Sequence, residues 1–309
     1  MSVKDPVVAD LPSVMRTRAW ADYGLLDSGH GRKLERYGRF TVVRPEPQCL
    51  WAPSAPASAW DGADAAFDPT DEEDAGRWKL KGQAASLGNG ETWPLGWGEV
   101  QFNGRFTSFR HLAFFPEQAA NWEWLEAAVH GAAKDQDSQP KVLNLFGYTG
   151  VASLVMAAAG AAVTHVDASK RAVAWARENA ELSGLADRPI RWITEDARKY
   201  VQREARRGSK YEGIILDPPK YGRGPDGEVW RLFEDLPELA GLCAELLSEN
   251  AKFLVLNAYA ERISGAALSG LLADKLKGRG GTIEWGELAL VQEDGAREIG
   301  MSFFARWQG

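Results

Sequence analysis

The chain has 309 residues, 45% of them hydrophobic and 26% charged, with a formal net charge of −7, enough for two domains with real cores. That acidic balance excludes a protein that coats nucleic acid with its whole surface, and a cysteine inventory of Cys49 and Cys243 excludes a disulfide framework and a four-thiolate zinc site. No apolar run is long enough to span a bilayer and the start MSVKDPVVADLPSV lacks a signal-peptide pattern, so a cytoplasmic protein with no membrane partner and no metal is expected.

Residues 1–114 are expected to form a small β-rich domain. Short apolar runs such as RFTVV (39–43), GRWKLKG (76–82) and WGEVQFNGRFTSF (97–109) lie between glycine and proline breaks, the pattern of strands and turns. Thirteen tryptophans in the chain, most of them before Asn144, fit a β-domain core better than base-stacking platforms. The segment SAPASAWDGADAAFDPTDEEDAG (54–76) is acidic and punctuated by proline, which predicts a long exposed loop. FPEQAANWEWLEAAVHGA (115–132) then places Trp122, Leu125 and Val129 at helical spacing behind Pro116 and predicts a helix leading into the second domain, 115–309.

From Lys141 onward strands and helices alternate. KVLNLF (141–146), AVTHVDA (162–168), IRWITED (190–196), YEGIILD (211–217) and AKFLVLNA (251–258) are predicted strands. Predicted helices fall at 149–161, at 169–185 with Ser169 as cap, near 197–207 and near 229–249. TIEWGELALVQ (282–292) and EIGMSFFARWQ (298–308) flank the turn EDGAR. The expected architecture is α/β: a doubly wound, seven-stranded Rossmann-like sheet that ends in an antiparallel hairpin.

The chemistry-bearing residues sit at the carboxyl ends of successive predicted strands, where an open α/β sheet binds ligands. FGYTG (146–150) follows the first strand, Asp167 closes the second, Asp196 the third and Asp217 the fourth. Asp167 lies about twenty residues past the glycine loop, the spacing at which a carboxylate accepts from ribose hydroxyls. NLFGYTG lacks the G-x-G-x-x-G dinucleotide pattern and the chain has no P-loop, which leaves a nucleoside without a phosphate chain. S-adenosylmethionine fits, with ribose on Asp167, the adenine amine near Asp196 and the methyl group toward Asp217, Pro218 and Pro219. Two consecutive prolines hold that last segment extended, without backbone donors, as a stiff acceptor rim.

NLFGYTG, VDASKRAVAWARENAELSG, ITEDARKYV and RGSKYEGIILDPPKYG occur in that order, and on them residues 115–308 resemble class I S-adenosylmethionine-dependent methyltransferases. The resemblance is to the branch with the bacterial large-subunit ribosomal RNA methyltransferases of the RlmI and RlmK type. It implies that Phe146, Gly147, Tyr148 and Gly150 meet the methionine part and Asp167 the ribose, with Asn144 and Ala168 also among the cofactor-binding residues. By the same resemblance Asp196 with Ala197 meets adenine, Gln118 reaches the cofactor from the leading helix, and Asp217 lies at the methyl group. Asp217, Pro218, Pro219, Lys220 and Tyr221 are the expected catalytic segment, with Tyr221 stacking on the substrate ring and Lys220 either holding a phosphate or base oxygen or remaining a solvated loop lysine. His111 lines the substrate side or is a structural histidine.

Two departures from that branch shape the expectation. Its RNA-binding PUA-like module is not recognisable in residues 1–110, and the fifth strand continues as FLVLNAYAERIS, without the cysteine that carbon-5 methylation of cytosine needs as a nucleophile. The expected activity is therefore direct in-line methyl transfer to a nitrogen of an RNA base, with ribosomal RNA as partner. The alternatives are a small-molecule or protein substrate, or a cofactor-binding protein without transferase activity. Arg203, Arg206, Arg207 and Lys210 meet RNA phosphates or complement a helix C-terminus; oligomeric state is left open.

Overall fold

Strands β1 (Lys141–Leu145), β2 (Ala162–Asp167), β3 (Ile190–Thr194), β4 (Gly213–Leu216) and β5 (Phe253–Ala258) pair in parallel in the order β5-β4-β1-β2-β3. They are seen in a computed structural model that describes residues 4–70, 75–87, 90–112, 114–135, 139–259 and 262–309. Period-two alternation assigns their faces. Leu143, Leu145, Ile214, Leu216, Leu254 and Leu256 enter an apolar cluster on one face, while Val142, Ile215, Phe253 and Val255 enter another on the opposite face. Because both faces are covered, β1, β4 and β5 read as nearly continuous apolar runs, whereas β3 at the sheet's edge is only partly buried.

Helices α1 (Val151–Ala158), α2 (Lys170–Leu182), α3 (Ala197–Arg207), α4 (Leu232–Leu246) and α5 (Gly265–Lys275) connect the strands or follow them. Val201 of α3, Leu239 of α4 and Leu272 of α5 fill the first cluster. Met156 of α1 and Leu125 and Val129 of the helix Ala119–Asp135 fill the second. That helix is preceded by a 3-10 turn, Pro116–Gln118, rather than starting at 115. None of the described helices is long and apolar enough to cross a membrane.

Strand β7 (Glu298–Gln308) runs antiparallel to β5, and β6 (Thr282–Val291) is its other neighbour. Among the described residues the sheet has nine strands where the sequence reading expects seven, because Val7–Val8 and Ser13–Thr17 both pair with β6. Ten-residue β6 would otherwise present an open row of backbone donors and acceptors.

The chain divides into two units, one of Met1–Met15, Ala120–Leu288 and Met301–Gly309, the other of Arg16–Ala119 and Ala289–Gly300. The second contains a five-stranded sheet of Tyr23–Gly29, Arg32–Tyr37, Phe40–Pro45, Ala65–Pro69 and Gly76–Leu80, and a pair, Trp93–Trp97 with Val100–Gly104. The expected loop over 54–76 is corrected here: it holds the helix Ala57–Asp61 and the strand Ala65–Pro69, with Trp60 and Phe67 buried. Residues 71–74 of that stretch lie outside the described residues. What organises it is the buried carboxylate of Asp27, which accepts from the backbone of Ser54 and Ala55 and from Trp60 Nε1.

A charged group also lies at the centre of this unit. Glu35 is fully buried, takes two hydrogen bonds of 2.7 Å from Arg44 and accepts from Tyr23 Oη at 2.9 Å. Burial pushes its carboxyl up, yet Arg44 and Lys33 more than offset this and hold it below the usual range. Substituting Glu35→Ala leaves the Arg44 guanidinium buried and unpaired, so a loss of about 3–5 kcal/mol is expected. The double variant Glu35→Leu, Arg44→Met should recover much of it; urea unfolding followed by tryptophan fluorescence measures both, and a single variant as stable as wild type would contradict the assignment.

Candidate active site

The chain leaves β1 through α1 toward one face of the sheet and leaves β4 toward α4 on the other, while β1 and β4 are neighbours. Connections departing in opposite directions open a crevice at the carboxyl edge between these two strands. Its walls are the loop 146–150 and the segment from Asp217.

The loop is held in an uncommon conformation. Phe146 (φ 59°) and Tyr148 (φ 48°) are both left-handed, as is Gly150 (φ 83°), which precedes α1; each non-glycine costs about 1–2 kcal/mol there. Backbone bonds offset the cost: Gly147 N donates to Val166 O (3.0 Å), Gly150 N to Gly147 O (2.9 Å) and Tyr148 N to Asp167 Oδ2 (2.9 Å). Asn179 of α2 anchors Thr149 O at 2.9 Å. Glycine is required at 147, where a Cβ would stand 2.4 Å from His165 Cε1.

Asp167 ends β2, and its other oxygen accepts from Ser169 N at 2.8 Å. Burial pushes its carboxyl up, with the two backbone donors opposing. Next to it the phenol of Tyr148 is pushed up to about 12 by burial and by the Asp167 charge. Ala168 follows, half-buried. Asp196 caps α3 by accepting from Lys199 N at 3.0 Å, and the Ala197 methyl is buried in the core, so what Ala197 offers a ligand is its backbone. Asp217, Phe146, Asp167 and Asp196 thus lie at the ends of β4, β1, β2 and β3, along one edge.

After Asp217, Pro218 is buried and Pro219, Lys220 and Tyr221 are exposed. The chain then forms a small antiparallel ribbon of Tyr221–Arg223 and Val229–Arg231, and the helix predicted from 229 begins at Leu232. Trp230, absent from the sequence reading, braces the rim: its Nε1 donates to Pro219 O at 2.7 Å and its ring meets that of Phe146 at 5.0 Å. A tryptophan behind a Gly-Pro-Asp-Gly turn was the available signal.

Beneath the loop lies a second group, of which the sequence reading names only Asn144. Asn144 Nδ2 donates to Ser153 Oγ (2.9 Å), which lies 3.0 Å from His165 Nδ1, all three residues buried. Gln118 and His111 belong to the other unit; Gln118 is buried in the 3-10 turn and His111 packs its ring on Phe115 at 4.6 Å. Of the basic run, Arg203 is paired with Glu195, Arg207 with Glu204 at 3.1 Å, and Lys210 donates to Glu245 O at 2.6 Å. Both cysteines are buried, and burial pushes both thiols up, Cys49 to about 11.

No protein-family model matches the chain. It is similar to the solved S-adenosylmethionine-dependent methyltransferase from Agrobacterium tumefaciens, at 49% identity and a TM-score of 0.91, over 99% of this chain and 96% of that one. Among curated proteins it is similar to ribosomal RNA large subunit methyltransferase K/L of Shewanella frigidimarina, 35% identical over 125 residues, and to methyltransferase I of Aeromonas salmonicida, 38% identical over 91. Those matches cover 40% and 29% of this chain but 17% and 23% of the relatives' lengths.

His165 gives a pH test of the loop's foundation. Burial pushes its imidazole down to about 3, so between that value and the ordinary one near 6.5 the unfolded chain binds a proton that the folded chain does not. Stability therefore falls as pH drops through this window, by up to about 1.4 kcal/mol per pH unit. Urea unfolding of wild type and His165→Gln at pH 7 and at about pH 5 should show the steeper loss in wild type; equal losses would mean the imidazole meets solvent.

Proposed function

The chain belongs to the S-adenosylmethionine-dependent methyltransferases, and we propose that it transfers the methyl group in line to a nitrogen of a ribosomal RNA base. The residues at the carboxyl edge fit the family's cofactor. Position 147 has no room for a side chain, so the ligand there meets backbone. The two amide donors on Asp167 use two of its roughly four acceptor sites, leaving others for the ribose hydroxyls. Phe146, Gly147, Tyr148 and Gly150, supported from below by Asn144, line the methionine part, Ala168 stands beside Asp167 on the cofactor side, and Asp196 and Ala197 border the adenine. When bound, S-adenosylmethionine supplies an electrophilic methyl group on a sulfonium.

At the rim, Trp230 holds the Pro219 carbonyl, and the Asp217 carboxylate and the Pro218 carbonyl hold the attacking nitrogen and take up its developing charge. Lys220 and Tyr221 flank that position. The observation that carries the choice of nitrogen is the lack of a thiol at this edge. Near the end of β5 stands Asn257, whose Oδ1 accepts from Asn121 Nδ2 at 3.0 Å, and the chain's two cysteines are buried with raised thiol pKa values. A pyrimidine carbon needs a covalent adduct for activation; an amine or ring nitrogen does not. The names of the curated relatives support RNA as the substrate.

The direct test is incubation with methyl-labelled cofactor and separated cellular RNA, protein and metabolite fractions. Label is expected in ribosomal RNA, on a base nitrogen; label confined to protein or metabolites overturns the reading. For cofactor binding, Asp167→Ala should weaken affinity by about 1.5–3 kcal/mol, roughly ten- to a hundredfold, read by calorimetry; unchanged affinity would remove Asp167 from the site. For turnover, Asp217→Asn should lower the single-turnover rate by about a hundredfold or more while leaving cofactor affinity near wild type, since an amide carries no charge to offset the cation developing on nitrogen. A wild-type rate would reduce Asp217 to a strand-end cap.

A further inference from the structure

The ribbon that follows the proline rim has two chemically different faces. In its register Gly222 opposes Trp230, and Trp230 is the buried member that holds Pro219 O and Phe146. Tyr221 opposes Arg231 and Arg223 opposes Val229, so by the period-two rule Tyr221, Arg223 and Arg231 share the other face. That face is open: Tyr221 is 49% exposed, the Arg231 side chain 59%, and Arg223 is exposed.

The nearby acids do not neutralise it. Asp226 and Glu228, from the ribbon's turn, are paired with Lys199 at the start of α3, and Asp235 takes Arg198 at 2.5 Å. Arg223 has no ion-pair partner among the described residues, and Arg231 shares an exposed 3.2 Å pair with Glu234, a contact that water and salt screen. On a chain of net charge −7, an outward aromatic ring between two guanidiniums, four residues after Asp217, is a local exception to the surrounding charge.

We propose that this face is the docking surface for a single-stranded stretch of the RNA substrate, with Tyr221 stacking on a base and Arg223 and Arg231 holding phosphates. Single strands are bound by an aromatic platform beside cations that follow the backbone, and a surface set immediately after the rim delivers the neighbouring base to it. The inference rests on the RNA reading above and adds where the strand lies. Because Trp230 fixes the ribbon from its inner face, the platform is held in register with the rim.

The test is a salt titration of binding to labelled poly(U), with cofactor affinity by calorimetry as the measure of intact folding. Relative to wild type, Arg223→Ala, Arg231→Ala should weaken binding at least about tenfold and flatten the dependence of log affinity on log salt by about 1.4, since each lost phosphate contact removes about 0.7 on single strands. Arg223→Lys, Arg231→Lys should restore the slope, and Tyr221→Ala should weaken affinity by roughly five- to a hundredfold with the slope kept. If wild type binds poly(U) and the double alanine variant matches it in affinity and slope, the surface is misassigned and the RNA reading stands. Wild type that methylates RNA but binds only base-paired strands likewise overturns the surface. Wild type that neither binds poly(U) nor labels RNA overturns both.

Discussion

The hydrogen bond from Tyr148 N–H to Asp167 Oδ2, 2.9 Å long, is the constraint on which the edge depends. It joins the loop after β1 to the end of β2, and the same carboxylate holds Ser169 N at 2.8 Å at the start of α2. A loop with two left-handed non-glycine residues relaxes unless its amides are claimed, and this bond claims the one at Tyr148, itself left-handed. Burial raises the carboxyl and the two donors oppose that rise, so the group that shapes the loop is itself steadied by the amides it gathers.

The left-handed turn at Phe146 has a consequence across the crevice. Its ring meets Trp230, and Trp230 in turn holds Pro219 O. The loop that follows β1 and the rim that follows β4 are therefore coupled through one tryptophan, although their connecting helices go to opposite faces of the sheet. Pro218 and Pro219 have no amide hydrogen, so the rim can be fixed only through its carbonyls or by packing. An indole N–H on the Pro219 carbonyl does this from one side of the segment.

The parts legible in the sequence were those with local causes. Strands covered on both faces give continuous apolar runs, Ser169 caps its helix through a side chain that accepts from Ala172 N, and the acids fall at strand ends. What was not legible depends on partners distant in sequence. Residues 54–76 look like an acidic loop until the buried Asp27 is known to gather the amides of Ser54 and Ala55 and the Trp60 indole. The strands Val7–Val8 and Ser13–Thr17 are too short to show periodicity and exist because β6 needs edge partners. His165 sits within an ordinary buried strand, and only the closeness of Gly147 to its ring explains why the loop carries glycine there.

Charge shows the same division between composition and placement. The run from Arg203 to Lys210 is the most basic stretch near the site, yet Glu195, Glu204 and the Glu245 carbonyl engage three of its four cations, and its last turn precedes Gly208 in the left-handed cap of α3. Those contacts complete a helix end, where positive charge opposes the helix dipole. The ribbon carries fewer cations, but the acids of its turn, Asp226 and Glu228, are drawn off by Lys199 of α3, and Asp235 of α4 by Arg198. The cations around the C-terminal half of α3 are thus spent on Glu195, Glu204 and the Glu245 carbonyl, and its N-terminal ones on the acids of its neighbours. A phosphate chain competes poorly for guanidiniums already held by buried or bidentate carboxylates and well for those facing water, so the local field beside Asp217 is set by which acids α3 removes rather than by how many arginines the sequence contains.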